Sequence, residues 1–442
     1  MTPSGTEVRA VSAAARAALP ELVATFLARR PGATDVGAVH LLDAEVVVPG
    51  RPGVIDVVAR VEGADGRLAH VALGVRASLE EVRFLPDGDE PVLGTLTDDD
   101  GPALVFEATR DPELAAMLLE QVSGESVDAA LVRPLHEDSG SITLAMEDRV
   151  AFTAFHDVVD GPRPEIELLR ALDDAGFNHL AAPLAVWRRA GRDLGLVQEC
   201  LSGASSGYAL ALTSVRDLYA AGGPPELAGG DFGAEAHRLG TMAARMHLSL
   251  DKAFGRRPGN VGRWAEDIEA ILRPRRPHLL ERPDIEELLS QLRTLQVPSQ
   301  AIRTHGDFHL GRTCRTEQGW YVVDFSNGGL PVAPSGVVPD EGASGTEPAP
   351  LAFRSPLADV ADMLWSLAHV AKTAADERDP SGRDGLVELA DAWVARNRRA
   401  LLAGYLGVPG ISGLVPPGRD ALRVVTDSFE LVRRVLHETP VA

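Results

Sequence analysis

The stretch that decides the fold is residues 304–311, with the sequence THGDFHLG, followed at residues 323–325 by VDF. It contains two carboxylates, Asp307 and Asp324, which lie seventeen positions apart. The aromatic and β-branched run at residues 320–323 predicts a strand, and the polar residues before it predict a tight turn. We therefore expect Asp307 on a loop and Asp324 at the far end of a short hairpin that folds back towards that loop. In such a pair, one carboxylate can orient a hydroxyl nucleophile while the other holds magnesium on a nucleotide, as phosphoryl transfer requires.

The HGDxHxG pattern, with the hydrophobic-Asp-Phe run after it, resembles the catalytic loop and metal-binding aspartate of the aminoglycoside-phosphotransferase and eukaryotic-like kinase group. The flanking sequence is more similar to bacterial maltokinases and actinobacterial glucosamine kinases. This similarity covers most of the chain, and it is strong after about residue 196 and weak before it. Four segments carry it: residues 196–201 (LVQECL), 242–247 (MAARMH), 355–364 (SPLADVADML) and 393–397 (WVARN).

The resemblance implies a fold class and a division of the chain. The expected fold is α+β, bilobal and protein-kinase-like, with an N-terminal α+β cap subdomain and a mainly helical C-terminal lobe. Residues 1–95 would form the cap and residues 96–200 the small nucleotide-binding lobe. Residues 201–442 would form the helical lobe with the catalytic loop.

Local patterns in the cap fit this division. Residues 7–30 carry apolar side chains at helical spacing. Alternating runs at residues 44–48, 54–61 and 68–75 predict strands, and turn residues separate them. The cap is therefore predicted to be a helix followed by a sheet.

The small lobe and the segment after Asp324 have patterns of their own. Residues 141–146 and 150–155 predict a hairpin, and a helix is expected to begin near Pro164, a residue suited to a first helical turn. Residues 326–350 are rich in Pro, Gly and Ser, which is typical of a functional lid or a disordered insertion.

The composition excludes several classes of protein. A formal net charge of −21 argues against broad binding to nucleic acid or anionic membranes, which needs a basic face. No apolar run approaches the ~20 residues of a spanning helix, and the N-terminus lacks the pattern of a signal peptide. Two cysteines, Cys200 and Cys314, are too few for a disulfide scaffold or a structural zinc site. We expect a cytoplasmic protein, a monomer or weak homodimer, that binds a small molecule, which the resemblance makes a sugar.

The resemblance also assigns roles within the catalytic loop. Asp307 matches the catalytic base, and the structural alternative is a loop aspartate that caps a helix. Asp324 matches the aspartate that coordinates the magnesium ion bridging the ATP phosphates, and the alternative is an Asx turn. His309 is a candidate for contact with the substrate, or it braces the loop through hydrogen bonds.

Two positions depart from the family pattern. The family has an Asn or Gln metal ligand five positions after the catalytic aspartate, but this chain has Arg312, which cannot ligate a cation. Arg312 either points away, or contacts phosphate in place of a metal, or marks a decayed site. Thr153 occupies the position of the lysine that holds the α and β phosphates. No lysine precedes Lys252, so Arg149 is among the nearest cations that could substitute.

The other nucleotide-binding candidates also follow from the resemblance. Glu167 matches the helix glutamate that orients the family lysine; here it pairs with Arg149 or is an ordinary solvated residue. Main-chain groups of Gln198 and Cys200 would bind adenine at the hinge, and the alternative is a buried strand. A turn of small residues would cover phosphates with its amides, although hairpins have such turns for geometric reasons alone. The residues of this small-residue turn are Ser139, Gly140 and Ser141.

Carboxylates and a tryptophan near the C-terminus are candidates for the acceptor pocket. Asp359 and Asp362 lie three apart on a predicted helix and therefore share a face. Trp393 could stack on a sugar, and Glu430 could bind hydroxyls or an ammonium group. An ordinary structural role is the alternative for each residue, and for Asp359 that role is bracing the catalytic loop.

The function expected from the sequence is that of an ATP-dependent sugar kinase using ATP and Mg²⁺. Its acceptor would be a small sugar, either a glucosamine-like amino sugar or maltose. One alternative is a pseudokinase, which would bind nucleotide or sugar as a regulatory protein without chemistry. Another is an aminoglycoside-type phosphotransferase, which explains the core motif but not the N-terminal unit.

Overall fold

A computed structural model describes residues 9–30, 36–63, 67–80, 82–85, 91–138, 140–227, 231–325, 353–378 and 386–437. The chain divides into two compact units. The first consists of Met1–Arg163 and Ala181–Ser202, and the second of Pro164–Leu180 and Gly203–Ala442.

Helices and strands are mixed along the described residues. The helices are α1 (Ala13–Ala28), α2 (Pro112–Ser123), α3 (Pro164–Asp174), α4 (Gly207–Ala221), α5 (Gly233–Phe254), α6 (Val261–Arg275), α7 (Pro283–Thr294), α8 (Leu357–Arg378), α9 (Leu386–Leu406) and α10 (Arg419–His437). The strands are β1 (Arg9–Ala10), β2 (Val39–Val48), β3 (Gly53–Val61), β4 (Leu68–Arg76), β5 (Val92–Asp98), β6 (Gly101–Glu107), β7 (Val132–Glu137), β8 (Ser141–Met146), β9 (Val150–Phe155), β10 (Asp157–Val158), β11 (Pro183–Arg189), β12 (Arg192–Glu199), β13 (Ser205–Ser206), β14 (Arg256–Pro258), β15 (Gln300–Arg303), β16 (Thr313–Arg315), β17 (Trp320–Val322) and β18 (Phe353–Arg354).

The first unit is built on two antiparallel sheets. The larger sheet has the order β1-β2-β3-β4-β6-β5, with β10 paired to β4. Helix α1 packs on it, and the apolar residues whose spacing predicts this helix form a buried core with β3, β4 and β6. The helix is confirmed from Ala13 onwards, whereas Arg9–Ala10, inside the predicted helical stretch, pair with β2 as strand β1. The three predicted strands of this region are confirmed.

The smaller sheet of the first unit has the order β11-β12-β9-β8-β7. The hairpin predicted from the sequence is confirmed with its bounds, as β8 and β9 pair from Ser141↔Phe155 to Met146↔Val150. Its turn places Glu147 and Asp148 at φ 54° and 49°, the left-handed conformation that tight hairpin turns require. Helix α2 buries Leu114, Leu118 and Leu119 in a core with this sheet.

The second unit is mainly helical, as expected for the C-terminal part. It also contains two small sheets, with orders β13-β16-β17 and β14-β15-β18. Helix α3 begins at Pro164, as predicted, and lies in this second unit. None of the helices in the described ranges combines the length and apolarity that crossing a bilayer requires.

The predicted division into three parts stays a prediction, and its boundaries differ from those of the two units. The boundary at residue 95 lies inside β5, whose sheet continues through β6 to Glu107. A domain boundary at residue 95 would break the hydrogen bonds between β5 and β6, so the larger sheet belongs to one unit as far as Glu107. The segment at residues 326–350, predicted to be a lid or an insertion, lies outside the described residues.

Candidate active site

The segment that contains Asp307, which we name the catalytic loop after its predicted role, connects β15 to the β16–β17 hairpin. Gly306 has a φ of 87°, a left-handed conformation that favours glycine, immediately before Asp307. The hairpin then returns the chain, so that the backbone N–H of Val323 donates to the carbonyl of Arg312 at 2.9 Å. Asp324 follows with a φ of 56°. The predicted strand and turn are confirmed, and they bring the two carboxylates to the same place in the fold.

Asp307 is buried and is held by cations on both carboxylate oxygens. Arg433, on α10, donates to its Oδ1, and Nε of Arg312 donates to its Oδ2 at 3.1 Å. Nε2 of His309 lies 3.5 Å from the same Oδ2. Burial would raise the pKa of Asp307, but hydrogen bonds from His309 and Arg433 and their charges hold that pKa well below its usual range. Asp307 is therefore a carboxylate that accepts hydrogen bonds throughout the ordinary pH range.

Arg312 bridges the two carboxylates that the sequence singles out. Its Nη1 contacts Oδ2 of Asp324, while its Nη2 lies 3.1 Å from Oδ2 of Asp307. The guanidinium therefore points between the two acids, and the alternative that it points away is wrong. Within the described ranges, no group of three or more His, Cys, Asp and Glu is placed to hold a metal ion. With Arg312 placed between them, Asp307 and Asp324 do not offer the open pair of oxygen ligands that a resident magnesium ion prefers.

Asp359, at the start of α8, supports the catalytic loop through hydrogen bonds to the loop backbone. It is fully buried, and it accepts hydrogen bonds from the backbone N–H groups of His305 at 2.8 Å and Gly306 at 2.9 Å. His247 lies 3.0 Å from the same carboxylate. Burial would raise the pKa of Asp359, but the His247 hydrogen bond and charge lower it. This position favours the bracing role over the acceptor contact that the sequence also predicts for Asp359.

His305 is buried beside the same carboxylate. Burial is the main reason why its pKa is lowered to about 4. Its Nδ1 accepts a long hydrogen bond of 3.4 Å from the backbone N–H of Asp307. A neutral His305 thus holds the loop through packing and backbone contacts.

A second group of side chains lies around Arg433 and includes residues that sequence reasoning missed. Asp362 is buried with Oδ1 at 3.7 Å from Nε of Arg433, and the ring of Trp365 lies 5.4 Å from the same guanidinium. Trp365 is half-buried and stacks on His369, with ring centroids 4.8 Å apart. Burial raises the pKa of Asp362 to about 7, against the charge of Arg433. Arg433 carries no motif, and only the one-turn spacing of Asp362 and Trp365 on α8 could have suggested the aromatic residue.

Two predicted acceptor residues occupy structural positions instead. Trp393 is 1% exposed, stacks on Phe232, and donates its indole N–H to Ser214 at 3.1 Å. Both its faces and its polar atom are thus engaged in the core, so it offers no open surface to a sugar. Glu430 is buried and accepts from Arg398 at 2.6 Å. The prediction that these two side chains line an acceptor pocket is corrected on these grounds.

The small-residue turn before β8 binds a carboxylate of its own chain. The amides of Gly140 and Ser141 donate to Oδ1 of Asp138 at 2.7 and 2.8 Å, respectively. Their predicted role of covering phosphates would require this Asx turn to open, because the donors already have a partner. Ser139, predicted with them, lies outside the described residues.

The position of the family lysine is filled by a pair of hydroxyl groups. Oγ1 of Thr153 lies 2.9 Å from Oγ1 of Thr143 across the β8–β9 ladder. Arg149 is half-exposed and bonds Glu125 at 2.8 Å. Thr153 thus provides no charge, and Arg149 already has an acidic partner in its own unit.

The helix glutamate and the hinge residues also have partners within their own units. Glu167 accepts from Arg303 at 2.9 Å, so the predicted pairing with Arg149 is replaced by a pair inside the second unit. Gln198 pairs with Ala151 and with Pro183 in the interior of the smaller sheet. Cys200 donates its N–H to the carbonyl of Arg149 and accepts from Ser202 at 2.9 Å in both cases. Adenine recognition by Gln198 and Cys200 stays a prediction.

Comparisons with known proteins identify the fold. Two crystal forms of a glucosamine kinase superpose with TM-scores of 0.60 and 0.59, at 22% and 21% identity. The first covers 97% of this chain and 92% of that one, and the second covers 94% and 91%. The chain has the glucosamine-kinase fold. A glucosamine kinase in complex with glucosamine, ADP and inorganic phosphate has this fold too, with a TM-score of 0.58 at 20% identity over 94% of this chain and 93% of that one.

Sequence similarity points to the same group. A glucosamine kinase from Streptacidiphilus jiangxiensis is 31% identical over 258 residues, which are 55% of this chain and 53% of that protein. The match thus spans about half the length of that relative. No protein-family model matches the chain. The predicted resemblance to glucosamine kinases and the predicted α+β kinase-like class are confirmed. Asp307 lies in the mainly helical second unit of this fold.

Proposed function

We propose that this protein is an ATP-dependent sugar kinase, which transfers the γ-phosphate of ATP to a hydroxyl group of a small sugar. The observation that carries the proposal is the position of Asp307. It lies on a loop braced by Asp359, next to Asp324, in a chain with the glucosamine-kinase fold. ATP would enter as its magnesium complex, which makes that ion part of the substrate.

In this reaction Asp307 would orient the acceptor hydroxyl. Its depressed pKa makes it a weak base, but a loose transition state needs an oriented nucleophile more than early removal of its proton. Arg312 and Arg433 are fixed on Asp307, and their remaining N–H groups can stabilise charge on the transferred phosphoryl group. The chain's own residues thus supply positioning and positive charge.

The acceptor would be a small sugar, with a glucosamine-like amino sugar and maltose as the two classes to test. Trp365 stacks on His369 beside Arg433 but stays partly exposed, and an aromatic ring packs well on the C–H face of a sugar. Trp365 therefore takes the stacking role that the sequence predicts for Trp393. We also propose that the protein acts in the cytoplasm as a monomer or a weak homodimer. Light scattering on the purified chain would test the oligomeric state.

Phosphate transfer from ATP across a panel of sugars tests the proposal. We expect at least one sugar to be phosphorylated, and Asp307→Asn to lose at least about a hundredfold in kcat, which is the range of a general acid–base residue. Asp376→Asn is the matched control, because Asp376 is exposed on α8 and pairs with Lys372. Absence of transfer to every sugar, or an Asp307→Asn variant as active as the control, would reject the kinase.

A second candidate, a pseudokinase that binds ligand without transferring phosphate, is favoured by two observations. Both oxygens of Asp307 already accept from arginines, and Thr153 provides no charge at the lysine position. Thermal shift with ATP, combined with the transfer assay, separates the candidates. Stabilisation by ATP without transfer to any sugar would support the pseudokinase.

A further inference from the structure

We propose that Arg312 is a built-in cation that takes the place of a resident divalent ion between Asp307 and Asp324. The part of this inference that concerns ATP rests on the function proposed above. ATP would bind the site through its phosphates, with Arg312 as a direct ligand of those phosphates. The site would therefore hold no metal ion of its own before the nucleotide arrives.

The contacts of Arg312 occupy the position between the carboxylates. Its Nη1 contacts Asp324, and its Nε and Nη2 each lie 3.1 Å from Oδ2 of Asp307. Three nitrogens of one guanidinium therefore face two acids that come from opposite ends of a hairpin. A metal ion bridging these acids would have to displace all three contacts.

The charges balance without a metal ion. Asp307 and Asp324 contribute two negative charges, and Arg312 and Arg433 contribute two positive charges in direct contact with them. Arg433 is only 3% exposed, so its charge is fixed and poorly screened by solvent. A divalent cation would meet two fixed guanidinium groups and would raise the local charge to plus two. A resident divalent ion would therefore be unfavourable here, because it would leave an uncompensated positive charge beside two fixed guanidinium groups.

The exposure of Arg312 suits a phosphate ligand. Its side chain is 26% exposed and that of Asp324 is 43% exposed, so one edge of this pair faces solvent. A guanidinium binds phosphate oxygens through two parallel hydrogen bonds, and phosphate carries more charge than the carboxylate it would replace. Incoming phosphates can therefore take Arg312 from Asp324 while Asp307 stays clamped by Arg433.

The inference is tested by manganese binding to the full chain without nucleotide. The free Mn²⁺ signal in electron paramagnetic resonance decreases as ions bind, so the number of bound ions is obtained by difference from the total. We expect no Mn²⁺ bound by the wild-type protein, and one Mn²⁺ per chain bound by Arg312→Asn, which replaces a cation by an oxygen ligand. Asp324→Asn in that background should abolish this binding. Arg396→Asn is the matched control, because Arg396 clamps Asp231 outside the site.

Two results would overturn the proposal. One is a Mn²⁺ ion bound by the wild-type protein and lost on Asp324→Asn. The other is a folded Arg312→Asn variant, with a normal circular dichroism spectrum, that binds no Mn²⁺. Arg312→Gln repeats the test with a longer oxygen ligand if the first variant does not fold.

Nucleotide binding adds a second readout. With a fluorescent ATP analogue, the affinity of the wild-type protein in EDTA should match that in magnesium within a few-fold, and Arg312→Asn should lose about tenfold or more in EDTA only. A protein that binds no nucleotide under either condition contradicts the proposed kinase function, whereas the manganese result by itself decides the role of Arg312.

Discussion

The guanidinium of Arg433 donates a hydrogen bond to Oδ1 of Asp307, although 126 positions separate the two residues in the chain. Both groups are buried, at 3% and 5% exposure. Arg312 holds the other oxygen from within the catalytic loop. The carboxylate at the centre of the candidate site is therefore fixed by one local and one distant cation, and the consequences of this clamp can be measured.

The first prediction concerns the contribution of Arg433 to stability. Arg433→Met keeps the apolar stem but leaves the buried Asp307 with one cation fewer, so we expect a loss of about 1.5–3 kcal/mol, the range of a hydrogen bond to a charged group. Urea unfolding at pH 7 measures it. Arg434→Met is the control, because the neighbouring side chain is 56% exposed and only approaches Glu430 at 4.0 Å. Equal losses in the two variants would contradict a buried clamp.

The second prediction concerns the brace under the catalytic loop. Asp359→Asn would place an amide NH₂ where a carboxylate oxygen now accepts from the N–H groups of His305 and Gly306 or faces His247. We expect a loss of about 1–3 kcal/mol and faster hydrogen exchange at these two amides. Asp376→Asn, on the exposed side of the same helix, should change neither. Unchanged exchange in Asp359→Asn would show that the brace does not hold the loop.

The third prediction is that a neutral sugar is preferred to an amino sugar at pH 7. The carboxylates that could bind an ammonium group already have cationic or backbone partners: Asp362 lies beside Arg433, Glu430 accepts from Arg398, and Asp359 supports the loop. None of these three described acids is therefore free to bind a sugar ammonium, which would lie near guanidinium groups, and like charges in close contact are costly.

A comparison of kcat/KM for glucosamine and glucose tests the charge directly, because the two share a ring and differ only at C2, where one carries an ammonium group and the other a hydroxyl group. We expect kcat/KM to be at least about tenfold higher for the neutral sugar, which corresponds to ~1.4 kcal/mol. The difference should narrow at a pH above the pKa of the glucosamine amine. A preference for glucosamine at pH 7 would refute the charge argument and leave the kinase proposal in place.

The fourth prediction concerns pH and Asp362. Burial raises the pKa of this carboxyl to about 7 in the folded state, against the charges of Arg433 and Arg354, whereas an unfolded aspartate titrates near ~3.9. Between these values the folded state binds more protons than the unfolded state. The stability due to the protonated group is therefore full below the unfolded pKa and is lost as the pH rises through the folded pKa.

Replacing Asp362 by Asn removes this titration. The melting temperature of Asp362→Asn minus that of the wild type should therefore increase from pH 5 to pH 8, because only the wild type loses stability from this group. The same difference for Asp376→Asn gives the background for an exposed aspartate on α8. A difference for Asp362→Asn that stays flat over this range would show that the carboxyl is ionised throughout.

Much of the local structure could be predicted from the sequence. The hairpin of β8 and β9 follows from alternation around a turn, and the start of α3 follows from Pro164, because both depend on neighbouring residues and their backbone hydrogen bonds. Trp393 shows the limit of such reasoning. An aromatic residue near a motif suits a sugar equally well as a core, and only its contacts with Phe232 and Ser214 decide between the two.

The sequence by itself determined the elements of the catalytic hairpin, the family that it resembles, and the two substituted positions, Thr153 and Arg312. The path of the folded chain was needed to show that Arg312 contacts both acids, that Arg433 reaches Asp307, and that Asp359 bonds the loop backbone, which favours its bracing role over acceptor contact. Secondary structure depends on hydrogen bonds between near neighbours and on periodic burial, which a linear pattern records. Hydrogen bonds between residues 54 or 126 positions apart depend on the path of the whole chain, which that pattern does not contain.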